Sequence, residues 1–244
     1  MLIPVSEIIE NKGSDTAVFL GCAESIHFIT PRQWDRIAEF DTWTSNNFHY
    51  HPFIPKFYHA ELKARRGWDK IWAERRELRR EDYLDVIFIV PDKRQYILDA
   101  IGEHNLIYYY KTNLLDKDKA ERPDPRYDFS LDPNIITKVC MSSVTCIMEI
   151  LCRMKYKKII LLGVDYTSSR YFWTDRFEYG KVHCHHNKDF EGRKEEEPHN
   201  TVNTMSFMVG FNKNYLEPIG SKMYVGYKET LLYPALDYLP MEEW

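Results

Sequence analysis

Lys157-Lys158-Ile159-Ile160-Leu161-Leu162-Gly163-Val164-Asp165-Tyr166 is the stretch from which the chain is best read. Four successive aliphatics read as a strand covered on both faces, as in a parallel sheet, because a strand with one wet face would alternate polar and apolar residues. The preceding residues, 137–154, carry Val139, Ile147, Ile150 and Leu151 among small residues and cysteines, and read as a buried helix. Tyr156-Lys157-Lys158 is the polar break between helix and strand. Ligands of an open α/β sheet sit beyond the carboxyl ends of its strands. Gly163-Val164-Asp165 falls at that edge, so a site is expected there, with Asp165 either capping the strand or meeting the ligand.

The same alternation of strand and helix extends outward in both directions. Residues 16–20 form a short apolar strand that runs into Gly21-Cys22-Ala23-Glu24-Ser25. A glycine after the first strand lets backbone approach a ligand closely, and a helix start after it can bind phosphate; a tight turn without a ligand is the other reading. Thr30 is a good N-cap and Pro31 a good first helical residue, so a helix is expected from Pro31 to about Phe40. Thr42-Trp43-Thr44 is a second strand, ending in Ser45-Asn46-Asn47-Phe48. Amides at the carboxyl end of a strand can both donate to and accept from a base or ribose, although asparagine also favours plain turns. Residues 85–90 and 106–110 are further strands around a helix at 92–103. The Pro-containing stretch 111–134 reads as a long loop.

Beyond the central stretch come a polar insert at 168–198, a helix at 201–216 and a strand at 222–226. The insert is charged and adjoins the expected site, which makes it a lid candidate. His183-Cys184-His185-His186 lies inside it, but four ligands in four residues do not wrap a tetrahedral ion, and zinc sites use two separated pairs. His49, His51 and His59 have no carboxylate or cysteine at matching spacing. Residues 60–82, with three arginine pairs between Trp68, Ile71, Trp72 and Leu78, read as an amphipathic surface helix. The expected architecture is therefore α/β: a single Rossmann-like domain over residues 1–244, with a mainly parallel sheet flanked by helices and a lid insert.

A chain of 244 residues is ample for one such core. Its net charge of −4 gives no reason to expect nucleic acid as a partner. Five cysteines form no disulfide framework, and the N-terminus lacks the basic and apolar regions of a signal peptide, so a cytoplasmic protein with reduced thiols is expected. No run approaches the ~20 apolar residues that a membrane helix requires.

The order of these features resembles the bacterial sialyltransferases of the Campylobacter type, glycosyltransferase family 42, and related transferases that use CMP-activated nonulosonic acids such as Kdo. Gly21-Cys22-Ala23-Glu24-Ser25 matches a Gly-Asn-Gly-Pro-Ser turn after strand one, and Ser45-Asn46-Asn47-Phe48 a Cys-Asn-Gln-Phe segment after strand two. Ser142-Ser143 matches a Thr-Ser pair opening the central helix. Lys157 to Tyr166 matches a Lys-Glu-Ile-Tyr-Leu-Ser-Gly-Ile-Asp-Phe strand. Pro198-His199-Asn200-Thr201 falls after the insert, where the family has its catalytic histidine, and the segment from Lys222 to Leu232 echoes the last strand and turn. Cys22 stands where the family has a nucleotide-binding asparagine, Glu61 near a second one, and Thr167 where it has a tyrosine.

The resemblance implies an inverting enzyme that moves a sugar of the sialic acid or Kdo type from CMP to a glycan hydroxyl without a metal or other cofactor. His199 would be the general base, since an unperturbed imidazole pKa of ~6.5 suits the task. Tyr166, Tyr171 and Arg170 would stabilise the leaving phosphate, with Thr167 and Asp165 nearby. Ser142 and Ser143 would hold the donor carboxylate at a helix N-terminus, or else bond back into the preceding turn. Asn46 and Asn47 would meet ribose or cytosine, while Gly21, Cys22 and Ser25 line the first turn. By the same resemblance the acceptor is a surface or lipid-linked glycan, peripheral contact with the inner membrane is expected, and homo-oligomers are compatible. Two other readings stay open: a Mg-dependent pyrophosphokinase-like nucleotide transferase, and a degenerate fold that binds nucleotide or glycan without turnover, for which Cys22 and Glu61 speak.

Overall fold

The computed structural model describes residues 2–60, 81–91, 101, 106–114, 130–138, 142–167, 170–173 and 201–244. Ten strands run through them: β1 (Leu2–Pro4), β2 (Thr16–Leu20), β3 (Asp41–Ser45), β4 (Phe57–His59), β5 (Ile87–Pro91), β6 (Ile107–Leu114), β7 (Ile135–Lys138), β8 (Lys158–Leu162), β9 (Lys222–Val225) and β10 (Asp237–Tyr238). They lie in the order β1-β6-β5-β4-β3-β2-β8-β9-β10, with β7 beside β6. Every pairing between these strands is parallel, so the protein is an α/β, Rossmann-like fold.

Strand pleat divides the two central strands between opposite cores. Ala17 and Phe19 of β2, with Ile159 and Leu161 of β8, point into one apolar cluster; Val18 and Leu20, with Ile160 and Leu162, point into another. The unbroken apolar runs in the sequence have this cause: both faces are covered, so neither tolerates a polar residue. Helix α1 (Pro31–Ile37) covers the second face through Ile37 and Trp34. Helices α2 (Ser143–Arg153) and α3 (Thr201–Phe211) cover the first through Ile147, Ile150, Leu151, Met208 and Phe211.

Several boundaries differ from the sequence expectation. The helix expected over 137–154 is instead strand β7 followed by α2, which starts at Ser143 with Ser142 as its N-cap. β-branched Ile135, Ile136 and Thr137 pair with Lys111 to Asn113 of β6, and that ladder outweighs the weak helical pattern. Lys111 to Leu114, expected to open a long loop, belong to β6. Helix α1 stops at Ile37, ahead of Phe40; it begins as expected, with Thr30 Oγ1 accepting from Gln33 N and the Gln33 side chain returning to Thr30 N. Helix α3 ends at Phe211, and the chain continues as a wider π turn over Asn212–Leu216. Phe172 and Trp173, counted with the polar insert, belong to the core, and both are buried. The expected helices at 60–82 and 92–103, His183 to His186 and the rest of the insert, Glu61 and His199 lie outside the described residues, except Ala60, which is not helical and whose N–H donates to Ile89 O beside β4, Glu81-Asp82 in a short 3-10 turn, and helical Ile101.

The amino edge of the sheet carries a structural lock rather than a site. Buried Asp41 accepts from Gly13 N (2.8 Å), Ser14 N (3.2 Å), Tyr156 Oη (2.8 Å) and Lys56 Nζ (2.7 Å). With that many donors the carboxylate is satisfied in place, as a buried charge must be. No helix among the described residues is long and apolar enough to cross a membrane.

Candidate functional site at the carboxyl edge of the sheet

Strand order reverses between β2 and β8. The chain steps outward from β2 through β3, β4 and β5 to β6, then returns to lay β8 on the other side of β2 and continues to β9. In open α/β sheets ligands bind outside the carboxyl ends of the strands at such a switch point. Gly21 and Gly163 leave β2 and β8 at this point, and they are drawn together. Gly21 N donates to Leu162 O (2.7 Å) and Ala23 N to Gly163 O (3.0 Å). A Cβ on Gly21 would stand 2.1 Å from Gly163 O, so the close approach read from the sequence is between two segments of this chain. Gly163 has φ +64, the left-handed region that glycine enters without a Cβ clash.

The turn after β8 is held from both sides. Ser25 N donates to Asp165 Oδ2 (3.1 Å) and Ser25 Oγ to Asp165 Oδ1 (2.5 Å), so both carboxylate oxygens are engaged by one residue. Burial pushes the Asp165 carboxyl above its ordinary range, against the Ser25 hydrogen bonds that favour the anion, with Glu24 adding to the rise. From below, Thr230 Oγ1 donates to Val164 O (2.7 Å), and Leu231 N to Asp165 O (2.9 Å). Tyr166 follows in the left-handed region (φ +58), a strained position for a tyrosine, and its hydroxyl turns to Met208 Sδ on α3 (3.4 Å). Thr167 is exposed.

The segment Arg170 to Trp173 closes over the turn after β2. Tyr171 forms an isolated antiparallel bridge with Ala23, and Phe172 N donates to Cys22 O (3.0 Å). The Tyr171 ring stacks on Trp173 at 4.6 Å and 4°. Arg170 Nε lies 3.4 Å from Glu24 Oε2. Cys22 Sγ faces Ser45 O at 3.8 Å; burial pushes the thiol up to about 12, the backbone of Asn47 opposing the rise. The thiol thus sits between the turns that follow β2 and β3.

Asn46 follows β3 and opens a 3-10 turn with φ +53, a conformation that asparagine tolerates better than most side chains. Its backbone oxygen accepts from the Tyr58 hydroxyl and faces His49 Nδ1 (3.1 Å), which fixes the turn. Its Nδ2 donates to Ser143 Oγ (3.1 Å) at the first turn of α2. Its Oδ1 is buried and has no hydrogen-bond partner among the described residues. An unmet buried acceptor is costly, which marks this amide oxygen as the place where a ligand donor would fit. Ser142 makes no side-chain cap, and its carbonyl accepts from Thr145 Oγ1 (2.8 Å), so the donors of the first turn of α2 are not taken by a capping side chain.

The structure therefore brings Gly21, Cys22, Ser25, Asn46, Asn47, Ser142, Ser143, Asp165, Tyr166, Arg170 and Tyr171 to the carboxyl edge. They fall into two groups, Ser25 with Asp165 and Asn46 with Ser143, bridged by Cys22. Gly163, placed by the sequence at the strand edge, holds the turn against Gly21, and Thr230 is a positioning residue that the sequence reading did not assign. Nothing local signals Thr230, which meets Asp165 from 65 residues away. Among the described residues no cluster of three or more His, Cys, Asp or Glu side chains forms a metal site. A cavity of about 400 Å³ lies elsewhere, between the turn after β1 and the end of α2, lined by Val5, Ile8, Ile150 and Met154 above the Glu149–Arg153 pair. No protein-family model, curated protein or solved structure matches the chain.

Proposed function

We propose that this protein is an inverting glycosyltransferase that moves a nonulosonic sugar, of the sialic acid or Kdo type, from CMP to a glycan hydroxyl. The observation that carries the reading is Asn46: a left-handed amide at the sheet's carboxyl edge, with Nδ2 on Ser143 and Oδ1 buried and unmet among the described residues. That oxygen suits the exocyclic amine of cytosine or a ribose hydroxyl, both of which donate. The first turn of α2 beside it suits an anion, here the donor carboxylate, through its N–H groups and the helix dipole.

In the proposed reaction His199 accepts the proton of the acceptor hydroxyl as that oxygen attacks the anomeric carbon. The bond from that carbon to the CMP oxygen breaks, and CMP leaves with the electron pair. Tyr171 and Arg170 are assigned to the developing phosphate charge. Tyr166 is assigned a lesser part, since its hydroxyl already meets Met208. Asp165 acts by holding Ser25 and the turn, and Thr230 by holding the same turn from below. The acceptor is proposed to be a surface or lipid-linked glycan, met in the cytoplasm or at the inner membrane.

A second reading has one observation in its favour. The Cys22 thiol is engaged with Ser45 O, so the position where a nucleotide-binding asparagine is expected serves the contact between two turns. A nucleotide- or glycan-binding protein without turnover would show this feature too. Thermal unfolding with CMP, CDP, GTP and ATP, each in EDTA or Mg²⁺, separates the readings. A ligand at about a hundred times its Kd stabilises the fold by ~2.7 kcal/mol, an easily read shift. Stabilisation by CMP in EDTA, followed by turnover of CMP-sialic acid or CMP-Kdo that His199→Ala abolishes while keeping CMP binding, is the expected result. Stabilisation only by a triphosphate with Mg²⁺ would overturn it in favour of a pyrophosphokinase-like transferase, and CMP-sugar binding without hydrolysis or transfer would leave the binding protein.

A further inference from the structure

Phe28 is 63% exposed, although it ends the turn that begins at Gly21 and is three residues from Ser25, whose hydroxyl holds Asp165. Its ring stacks on Tyr227 at 5.8 Å and 20°. Tyr227 comes from a different part of the chain, the turn after β9, so two strands flanking β8 deliver one ring each. In the turn that follows Tyr227, Leu231 is 49% exposed and its N–H donates to Asp165 O, and Lys228 Nζ lies 5.9 Å from the ring of Tyr233. Burial pushes the Tyr227 phenol up, with the charges of Glu229 and Asp165 adding to it, so the pair lies within electrostatic reach of the candidate site. An exposed aromatic face costs solvation unless something covers it. The position selects the occupant: both rings stand on turns that leave the carboxyl edge of the sheet, after β2 and after β9, with Glu24 and Glu229 in the same turns as hydroxyl acceptors.

We propose that the Phe28–Tyr227 pair is the acceptor platform, on which the apolar C–H face of the accepting sugar ring stacks while its hydroxyls meet the neighbouring carboxylates. This rests on the transferase reading above. The platform fixes the substrate class as a pyranose that presents one face free of axial hydroxyl groups. Aromatic faces offer such a ring area and a partial negative charge without a rotamer cost.

The test uses saturation-transfer NMR with methyl β-lactoside and, separately, chitobiose at about 10 mM, the range in which weak sugar sites are populated, together with a CMP titration of the same samples. Wild-type protein is expected to transfer saturation to one sugar. Phe28→Ala should lower the sugar affinity by roughly 2- to 10-fold, the range of a lost aromatic contact, and Phe28→Tyr should restore it. CMP affinity should be equal in all three. Because Phe28 is exposed, the alanine variant is expected to fold, and its unchanged CMP affinity reports that. No saturation transfer from wild type to either sugar, or an equal signal in Phe28→Ala, overturns the platform. So does Phe28-dependent binding to phosphatidylglycerol vesicles in place of sugar. Phe28-dependent sugar binding without any CMP affinity would refute the donor reading alone, and CMP affinity without it would refute the platform alone.

Discussion

Gly21→Ala tests the joint between β2 and β8. The added Cβ would stand 2.1 Å from Gly163 O, 2.8 Å from Gly163 C and 2.9 Å from Val164 Cγ2. Ordinary contact begins near 3.4 Å, so the nearest obstacle is more than an ångström too close, and it is backbone with no rotamer to escape into. Relief requires parting the two turns. That stretches Gly21 N to Leu162 O and Ala23 N to Gly163 O, now 2.7 and 3.0 Å. Overpacking costs about 1–3 kcal/mol, and the two weakened hydrogen bonds add up to about 1 kcal/mol each. The expected loss is therefore about 1–5 kcal/mol, a large share of the stability of an ordinary domain. Gly220→Ala is the control. Gly220 also has positive φ (+75), but nothing lies within 4 Å of its added Cβ, so only the left-handed backbone cost of about 1 kcal/mol applies. Urea unfolding followed by tryptophan fluorescence gives both values. If Gly21→Ala loses no more than Gly220→Ala, the close approach of the turns is wrong. CMP titration of the same variant should show weakened binding as well, because Cys22 and the Asn46 turn hang from this joint.

Other expectations follow from the same geometry. Asn46→Gly keeps the left-handed backbone (φ +53) while removing the amide, so stability should change little and CMP affinity should fall about tenfold, read by calorimetry; Asn46→Ala should lose the same affinity plus about 1–2 kcal/mol of stability from the strained backbone. The Asp165 carboxyl is raised in the folded state, so the native protein binds its proton more tightly than the unfolded chain, and this group's contribution to stability is greatest below its unfolded pKa of ~3.9 and declines as pH rises through the raised native value. Asp165→Asn, which can still accept from Ser25 N and donate to Ser25 Oγ, should remove that decline from urea midpoints measured upward from pH ~4; an unaltered pH profile would show that Asp165 is not the group responsible. With its thiol pushed up to about 12, Cys22 should alkylate with iodoacetamide much more slowly in the folded protein at pH ~8 than in urea, as read by peptide mass spectrometry.

The carboxyl edge shows how a parallel fold builds a site from residues that are distant in sequence. Asn46 and Ser143 are 97 residues apart, Ser25 and Asp165 140 apart, and each pair meets because both members terminate or follow elements on one edge. The rigid strands supply the positions, and the turns supply the chemistry. Asp165 illustrates the distinction between a positioning residue and a contact residue: a carboxylate whose two oxygens are both held by Ser25 shapes the turn.

Read alone, the sequence determined the class of fold and the edge at which to look. Runs such as Val18-Phe19-Leu20 and Ile159-Ile160-Leu161-Leu162 allow a strand buried on two faces and little else of that length, and Thr30-Pro31 starts a helix by local chemistry alone. Gly21, Asn46 and Asp165 were legible because turn residues after a buried strand fall at the ligand-facing edge. Only the tertiary structure decided the strand order, the switch point between β2 and β8, and the identity of β7, whose residues are a strand because β6 lies beside them. Short strands such as β1 and β10, of three and two residues, have no signature of their own; neighbouring backbone makes them strands by completing their hydrogen bonds. The pairing of Thr230 with the Asp165 turn and of Phe28 with Tyr227 is likewise a property of the folded chain. A hydroxyl or a ring has no preferred partner along the sequence, and it acquires one when the sheet brings two loops to the same edge.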